Sequence, residues 1–504
     1  EVQMGFRKGR GTIECIATLD HIVRRELNEK GGKVYALFVD LKAAFDMVNR
    51  ERLWQIMKDM GISKTLIERI REIYRETENR IRVNGETSMN FWTKKGVRQG
   101  CPLSPTLFSL YIAKLEENLR KAQMGGVTLG KTKIWSLQYA DDIVLLAKTG
   151  KEIREMMKTL QTFVRRRELQ MNVEKTKMMV FRKAVGRSKK EVWQWEEKTI
   201  EEVATFKYLG YTFQRNGRRT QHLENTVKKA NRLLKAVWGL AERRLKNDFV
   251  RRIWLFDSLI KSVIMYGAEI WGWKERESLE RVQAKYLKWT LGLEKETPEY
   301  IVLEETKREK LRIEAARRAM KFEEKIRQNV ECKIMKEMWE EIRVNYKKTA
   351  EERREFYEVR GLTAEEVERK RIEGAEPRKE ILNLDEELQR KEQRKKIAES
   401  RYNPKYGEII GGLKLPEYLI RGRKNEDRKT IARFRVGNEE GENCYWKEEE
   451  DRRCGLCREF PETIEHWLKD CEELREVEKD RNELLNETGD GLEWMKMILE
   501  KKRK

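Results

Sequence analysis

The chain has 504 residues, with 110 Lys and Arg against 88 Asp and Glu, a net charge of +22 and only seven cysteines. At roughly 100–200 residues per domain that length suggests two to four domains, and so few cysteines exclude a disulfide-built secreted scaffold. No apolar run of about 18 residues is present, the opening "EVQMGFRKGR" holds no signal-peptide core, and the positive excess calls for a polyanionic partner.

The charge is unevenly placed. Residues 1–300 carry all +22 of it, against +2 in 301–400 and −2 in 401–504. Residues 151–250 alone hold 25 basic and 12 acidic side chains, the footprint of a surface that tracks phosphates. The chain opens at Glu1 on what reads as domain interior, as expected of an N-terminally truncated product.

In chain order, "KVYALFVDLKAAFDMV" predicts a strand over Val34–Val39 followed by a helix start. "RIRVNGETSMNFWTKKGV" predicts a hairpin turning at Asn84-Gly85, because that pair suits the positive φ angles of a tight primed turn. "SLQYADDIVLLA" reads as two strands, "EIREMMKTLQTFVRRREL" as a helix, "TKMMVFR" as a strand and "FKYLGYTF" as another short pair. From about 220 to 300 the pattern is amphipathic and helical, with Val227, Leu233, Leu234, Val237 and Leu240 expected on one side. Residues 301–400 are 52% charged with balanced signs and read as long solvated helices broken near Gly361 and Pro377. The last hundred residues hold "YNPKYGEII" and then a Cys/His cluster. The organisation is α+β at first and helical afterwards.

Two adjacent aspartates inside an apolar run need compensation, since a carboxylate withdrawn from water costs several kcal/mol or more unless paired, protonated or metal-bound. A generic Asp-Asp pair is most often a solvated turn, but "IVLLA" after Asp141-Asp142 is too apolar for an exposed loop. The strand "YALFVD" ends in Asp40 and brings a further carboxylate to a strand end. In a basic chain with three histidines, strand-end carboxylates of this kind suit hard divalent cations with oxygen ligands, Mg²⁺ above all. Two such ions about 4 Å apart can activate a 3′-hydroxyl and stabilise a leaving pyrophosphate.

"FVDLKAAFD", "GVRQGCPLSPTLF", "YADD", "LQMNVEKTK" and "FKYLG" stand in the order and rough spacing of reverse-transcriptase motifs A to E. Over residues 1 to about 215 the chain resembles the polymerase of non-LTR retrotransposons of the LINE type, particularly the insect jockey-like group, and "QMGFRKGRGT" looks like the family's motif before A. The resemblance implies a right-hand polymerase: a palm with antiparallel sheet and partial fingers over 1–215, a helical thumb over 216–300, a charged helical extension over 301–400, and a C-terminal region over 401–504. It implies Asp40 and Asp141 as ligands of two Mg²⁺ ions, with Asp142 contacting metal less directly. Phe45 matches the steric gate that excludes a ribose 2′-hydroxyl, although by composition alone an ordinary core aromatic is the better expectation there. Arg98, Gln99 and Gly100 match the loop that lies against template and incoming nucleotide, and Lys175 matches a lysine near the pyrophosphate. Glu168 departs from the pattern, since the family often has Gly before "LQMN". The earlier finger motifs and the endonuclease domain of full-length elements have no counterpart.

"CGLCREFPETIEHWLKDC" spaces Cys454, Cys457, His466 and Cys471 as a knuckle, four donors suited to tetrahedral Zn²⁺. The alternative is a set of free buried cysteines. Cys444 is a weaker substitute ligand, and the cluster also resembles the Cys-Cys-His-Cys segment near the end of these retrotransposon proteins. Such a knuckle either grips nucleic acid or serves as a structural clip. The expected activity is RNA-directed DNA polymerisation, with RNA template, DNA primer or target and dNTPs as partners, no membrane, and the nucleus as the location the family implies. The competing expectation is a catalytically inactive remnant that only binds nucleic acid. The oligomeric state is not legible.

Overall fold

A computed structural model describes residues 2–75, 78–183, 191–328, 331–344, 351–474 and 480–503. Glu1, where the chain opens, and Lys504, the last residue of the terminal "KKRK" run, lie outside the described residues. The chain divides into two compact units, one of residues 1–222 with 322–354, the other of 223–321 with 355–504.

The first unit is α+β. Helix α1 (Thr12–Asn28) leads into strand β1 (Lys33–Val39), helices α2 (Arg50–Asp59) and α3 (Lys64–Arg75), and a ribbon of four short strands. These are β2 (Glu78–Asn79), β3 (Arg82–Val83), β4 (Glu86–Thr87) and β5 (Phe91–Trp92). Helices α4 (Ser104–Ile112) and α5 (Lys114–Ala122) precede the hairpin of β6 (Val127–Leu129) and β7 (Thr132–Ile134). Then come β8 (Ser136–Tyr139), β9 (Asp142–Ala147), α6 (Gly150–Arg166), β10 (Lys177–Arg182), β11 (Trp193–Trp195), β12 (Lys198–Glu202), β13 (Thr205–Tyr208) and β14 (Tyr211–Gln214).

Strand β1 is central in a six-stranded sheet of order β11-β12-β10-β1-β9-β8. Its six residues Val34–Val39 are all buried, which is why an unbroken apolar run rather than an alternating one marks it. Antiparallel β9 and β10 flank it, with Val39 opposite Ile143 and Phe38 opposite Lys177. Helix α6 starts in a capping box, in which Thr149 and Glu152 satisfy each other's backbone amides. Its buried Ile153, Met156, Leu160 and Phe163 recur every three or four residues and join Leu37, Leu145 and Met178 of the sheet in one core. Helix α1 lies against β1, β8 and β10. The expected Asn84-Gly85 hairpin is β3–β4, with φ of +51° and +91° at the two turn residues.

Helix α7 (Thr220–Arg244) forms where expected, but its buried stripe is Ala230, Leu234, Val237 and Ala241. Leu240, expected among the inward residues, is exposed, because the small Ala241 next to it takes the inward place. The described residues of 301–400 are largely helical with breaks at Gly361 and before Pro377, as expected, yet they are not simply solvated. Met320, Phe356, Tyr357, Val367 and Ile381 form a buried cluster in the second unit. Segment 322–354 belongs to the first unit, where the helix Lys333–Val344 lies on α1 and the β6–β7 hairpin.

The larger core of the second unit joins the helices Glu277–Leu291, Glu299–Glu305 and Asn425–Arg435 to the C-terminal Leu492–Arg503. At its centre the buried Glu305 carboxylate accepts hydrogen bonds from Arg435 Nε (2.6 Å), Tyr418 (2.7 Å) and Tyr406 (2.8 Å). Burial raises the Glu305 pKa, but the Arg435 guanidinium outweighs it and keeps the group ionised. No described helix is long and apolar enough to cross a membrane.

Candidate active site

Strand register sets the site. The β1–β9 pairing runs from Tyr35 opposite Ala147 to Val39 opposite Ile143, so one further step sets Asp40 opposite Asp142. Strands β8 and β9 are joined by the two-residue turn Ala140-Asp141, with Tyr139 opposite Asp142. Asp40, Asp141 and Asp142 therefore meet at one end of the central strands. Withdrawal from water raises the Asp141 carboxyl above its ordinary range, and Asp40 beside it adds to the effect. Asp142 still meets solvent at the turn, yet the surrounding protein, then Asp141, then Asp40 push it up to about 6. Asp141 and Asp142, whose charged forms are disfavoured here, together with Asp40 beside them are a donor set that fits hard divalent cations.

The segment "LQMNVEKTK" fixes the end of β1. The Asp40 amide donates to Thr176 Oγ1 at 3.1 Å, its carbonyl accepts from the Asn172 amide at 2.8 Å, and the Lys42 amide donates to the Gln170 carbonyl at 2.8 Å. Lys175 stands exposed on this same turn. Glu168, just before it, takes φ of +53°, the conformation a glycine would adopt without cost. Its side chain is held there by Asn49 Nδ2 and Arg52 Nε, each at 2.9 Å. The turn left open by the replacement of Gly is thus made, with hydrogen bonds offsetting the backbone strain.

Sequence reasoning missed Gln3. Its Nε2 donates to the Ala140 carbonyl (3.1 Å), while its Oε1 accepts from the Ala140 amide (3.0 Å) and the Gly5 amide (2.8 Å). Ala140 sits at φ +55°, and a Cβ on Gly5 would come within 2.5 Å of the Ala140 nitrogen. One side chain thus spans both polar groups of a strained turn. The only sequence signal was the position of Gln3 within "QMGFRKGRGT".

Phe45 is half-buried, its ring stacked on Phe108 with centroids 4.8 Å apart. Its carbonyl accepts from the Val97 amide at 2.9 Å, and Gln99 Nε2 donates to Asp46 at 3.3 Å, so the loop after β1 and the loop of Arg98 and Gln99 are pinned together. Gly100 follows at φ +84°. Arg98 lies 5.8 Å from the Tyr74 ring centroid and, with Gln99, lines a cleft of about 950 Å³. The three carboxylates do not line that cleft.

In the second unit Cys454, Cys457, His466 and Cys471 come together with all four donor atoms within 4.8 Å of one another. The Cys454 and Cys471 sulfurs are 4.0 Å apart, and the Cys457 sulfur is 3.2 Å from His466 Nε2. Tetrahedral zinc with sulfur ligands at about 2.3 Å needs donor separations of about 3.5–3.8 Å, so the cluster could hold such an ion. Burial pushes the Cys471 thiol up to about 12, with Cys454 and Cys457 adding to it, a cost that a bound cation would remove. Cys444 lies outside the four and donates to the Glu440 carbonyl.

Residues 1–213 match the family model of reverse transcriptase (RNA-dependent DNA polymerase). The chain is similar to the Retrovirus-related Pol polyprotein from type-1 retrotransposable element R2 of Popillia japonica, 30% identical over 214 residues, which are 41% of the chain and 35% of the relative. The Probable RNA-directed DNA polymerase from transposon BS of Drosophila melanogaster is 24% identical over 300 residues, 56% of the chain and 31% of the relative. The RNA-directed DNA polymerase from mobile element jockey of Drosophila funebris is 25% identical over 307 residues, 58% and 32% respectively. The chain spans about a third of the length of these relatives.

Proposed function

From a chain whose residues 1–213 are a reverse transcriptase domain of the non-LTR retrotransposon kind, we propose that the protein extends a DNA primer on an RNA template. The observation that carries this reading is the meeting of Asp40, Asp141 and Asp142 at one end of the central strands, with pKa values raised for Asp141 and Asp142. Two Mg²⁺ ions bound there would supply activation of the primer 3′-hydroxyl and charge stabilisation of the leaving group. The 3′-oxygen forms a bond to the α-phosphorus of a dNTP, the bond from that phosphorus to the α,β-bridging oxygen breaks, pyrophosphate leaves with that oxygen, and the hydroxyl proton passes to solvent.

In this reading Asp40 and Asp141 are the principal metal ligands and Asp142 supports them. The Phe45 ring, braced by Phe108, closes the space a ribose 2′-hydroxyl would need. Arg98, Gln99 and Gly100 contact template and incoming nucleotide, and Lys175 acts beside the pyrophosphate. The six-stranded sheet is the palm, residues 216–300 the thumb, 301–400 a charged helical extension, and Cys454, Cys457, His466 and Cys471 a zinc knuckle in the region 401–504. The template is the element's own RNA and the primer is nicked chromosomal DNA, which places the reaction in the nucleus.

Primer extension in Mg²⁺ on an RNA template tests the reading. We expect dNTP-dependent extension by the wild type and none by Asp141→Asn, with equal binding of the primed template. Equal binding by both proteins and extension by neither would leave a chain that only binds nucleic acid.

A further inference from the structure

The ribbon β2–β5 between α3 and α4 is exposed along its whole length from Glu78 to Trp92. An isolated two-stranded ribbon is marginal in water, and this one holds five large apolar side chains in the open, among them Trp92 at 58% and Ile81 at 56% exposure. The pairing divides them by face. Trp92 stands opposite Glu78, and Arg80 reaches the Glu78 carboxylate at 3.7 Å, so Arg80 and Trp92 share one side. Phe91 stands opposite Asn79 on the other. One side therefore pairs an open indole with a guanidinium.

The surroundings say what would cover that side. Residues 78–99 carry five basic and two acidic side chains. The base of the ribbon opens into the cleft of about 950 Å³, which Asn79, Lys94, Lys95, Arg98 and Arg50 line and which ends at Gln99 beside the Phe45 loop. A second copy of this basic chain seated on the apolar face would meet like charge there. A polyanion that also offers flat rings would use both. In a duplex the rings are already stacked on one another, so an aromatic ring here serves only unpaired bases.

We propose that the ribbon is a platform for single-stranded nucleic acid, with a base stacked on Trp92 and phosphates on Arg80, Arg82 and Lys94. The occupant is the unpaired template strand, an assignment that rests on the polymerase reading. The platform continues through the cleft toward Arg98 and Gln99.

Equilibrium binding of two labelled RNA–DNA hybrids, one with a short 5′ single-stranded template overhang and one blunt, tests this in the full chain. The wild type should bind the overhang hybrid more tightly. Trp92→Ala should lose about ten-fold on that substrate, in line with the loss of one stacked base, and nothing on the blunt one, while Trp92→Phe keeps most of the preference. The pair Arg80→Ala with Arg82→Ala should flatten the salt dependence of overhang binding. Because these side chains are exposed, thermal unfolding of the variants should match the wild type. Three results would overturn the platform: no overhang preference in the wild type, equal loss on both hybrids, or a self-association of the wild type that Trp92→Ala abolishes. A chain that extends primers without overhang preference fails only the platform, and one that prefers the overhang but adds no nucleotide fails only the polymerase reading.

Discussion

Ala140 has both its amide and its carbonyl taken by Gln3, 137 residues away in sequence, so one side chain braces the turn that presents Asp141 and Asp142. Gln3→Ala leaves both groups without their partner and lets the turn relax from φ +55°. Each lost hydrogen bond of this kind costs about 1 kcal/mol, and about 1.4 kcal/mol is ten-fold in rate. Gln3→Ala is expected to slow single-nucleotide incorporation about ten-fold with the Kd for primed template unchanged, and Gln3→Glu, which still accepts but cannot donate, to fall between. A change in Kd alone would show that Gln3 does not position the turn. The carboxylates themselves were legible because an unbroken apolar run ending in Asp40 and an Asp pair between two apolar strands are local patterns. Gln3 was not, since a side chain's choice of a distant backbone partner leaves no periodicity. Glu168 lies between these cases: the positive φ was foreseeable from the family's Gly, but the compensation by Asn49 and Arg52 comes from α2 and its N-cap, more than a hundred residues earlier.

Among the elements, the helix Lys333–Val344 shows why balanced charge misleads. Its Glu341 accepts from Arg25 (2.6 Å), His21 (2.8 Å) and the Gly130 amide (2.6 Å), and its Glu337 accepts from the Lys131 amide (2.9 Å). Lys325 likewise pairs with Glu14, and Arg353 with the buried Glu323. In sequence these residues resemble a solvated face because most of their partners lie two to three hundred residues earlier. Burial tends to raise the Glu341 carboxyl, but the hydrogen bonds from His21 and Gly130 and the charge of Arg25 outweigh it and hold the group at about 2 against an ordinary 4.5. A carboxyl lowered in the folded state contributes stability that is complete above its ordinary value and is lost as pH falls toward the folded one. Between pH 5 and pH 2 the wild type should therefore lose about 1–2 kcal/mol more unfolding free energy than Glu341→Gln, allowing for solvent screening. Urea titrations across that range measure it, and parallel slopes would remove Glu341 from the account.

At the scale of the whole molecule, the chain joins an α+β unit with the carboxylate site to a helical unit that carries the Cys/His cluster. The cluster was legible as a spacing, and the α+β to helical change as a change of period. The return of 322–354 to the first unit was not, because no local signal marks a segment that comes back to an earlier part of the fold. Metal at Cys454, Cys457, His466 and Cys471 should stabilise the second unit, since the three cysteines belong to or touch that unit's core. A strong chelator, or Cys471→Ser, is expected to lower its melting temperature, and added Zn²⁺ to restore the chelated wild type but not the variant; unchanged melting would mean free buried cysteines. In the proposed polymerase Asp40 and the Asp141-Asp142 turn make one cation site. Fe²⁺ substituted for Mg²⁺, with ascorbate and peroxide, cuts the backbone beside wherever the ion binds. The account predicts paired cuts near residue 40 and near residues 140–142, both suppressed by excess Mg²⁺ and by Asp141→Asn; cuts at only one of these places, or cuts that persist in Asp141→Asn, would contradict it.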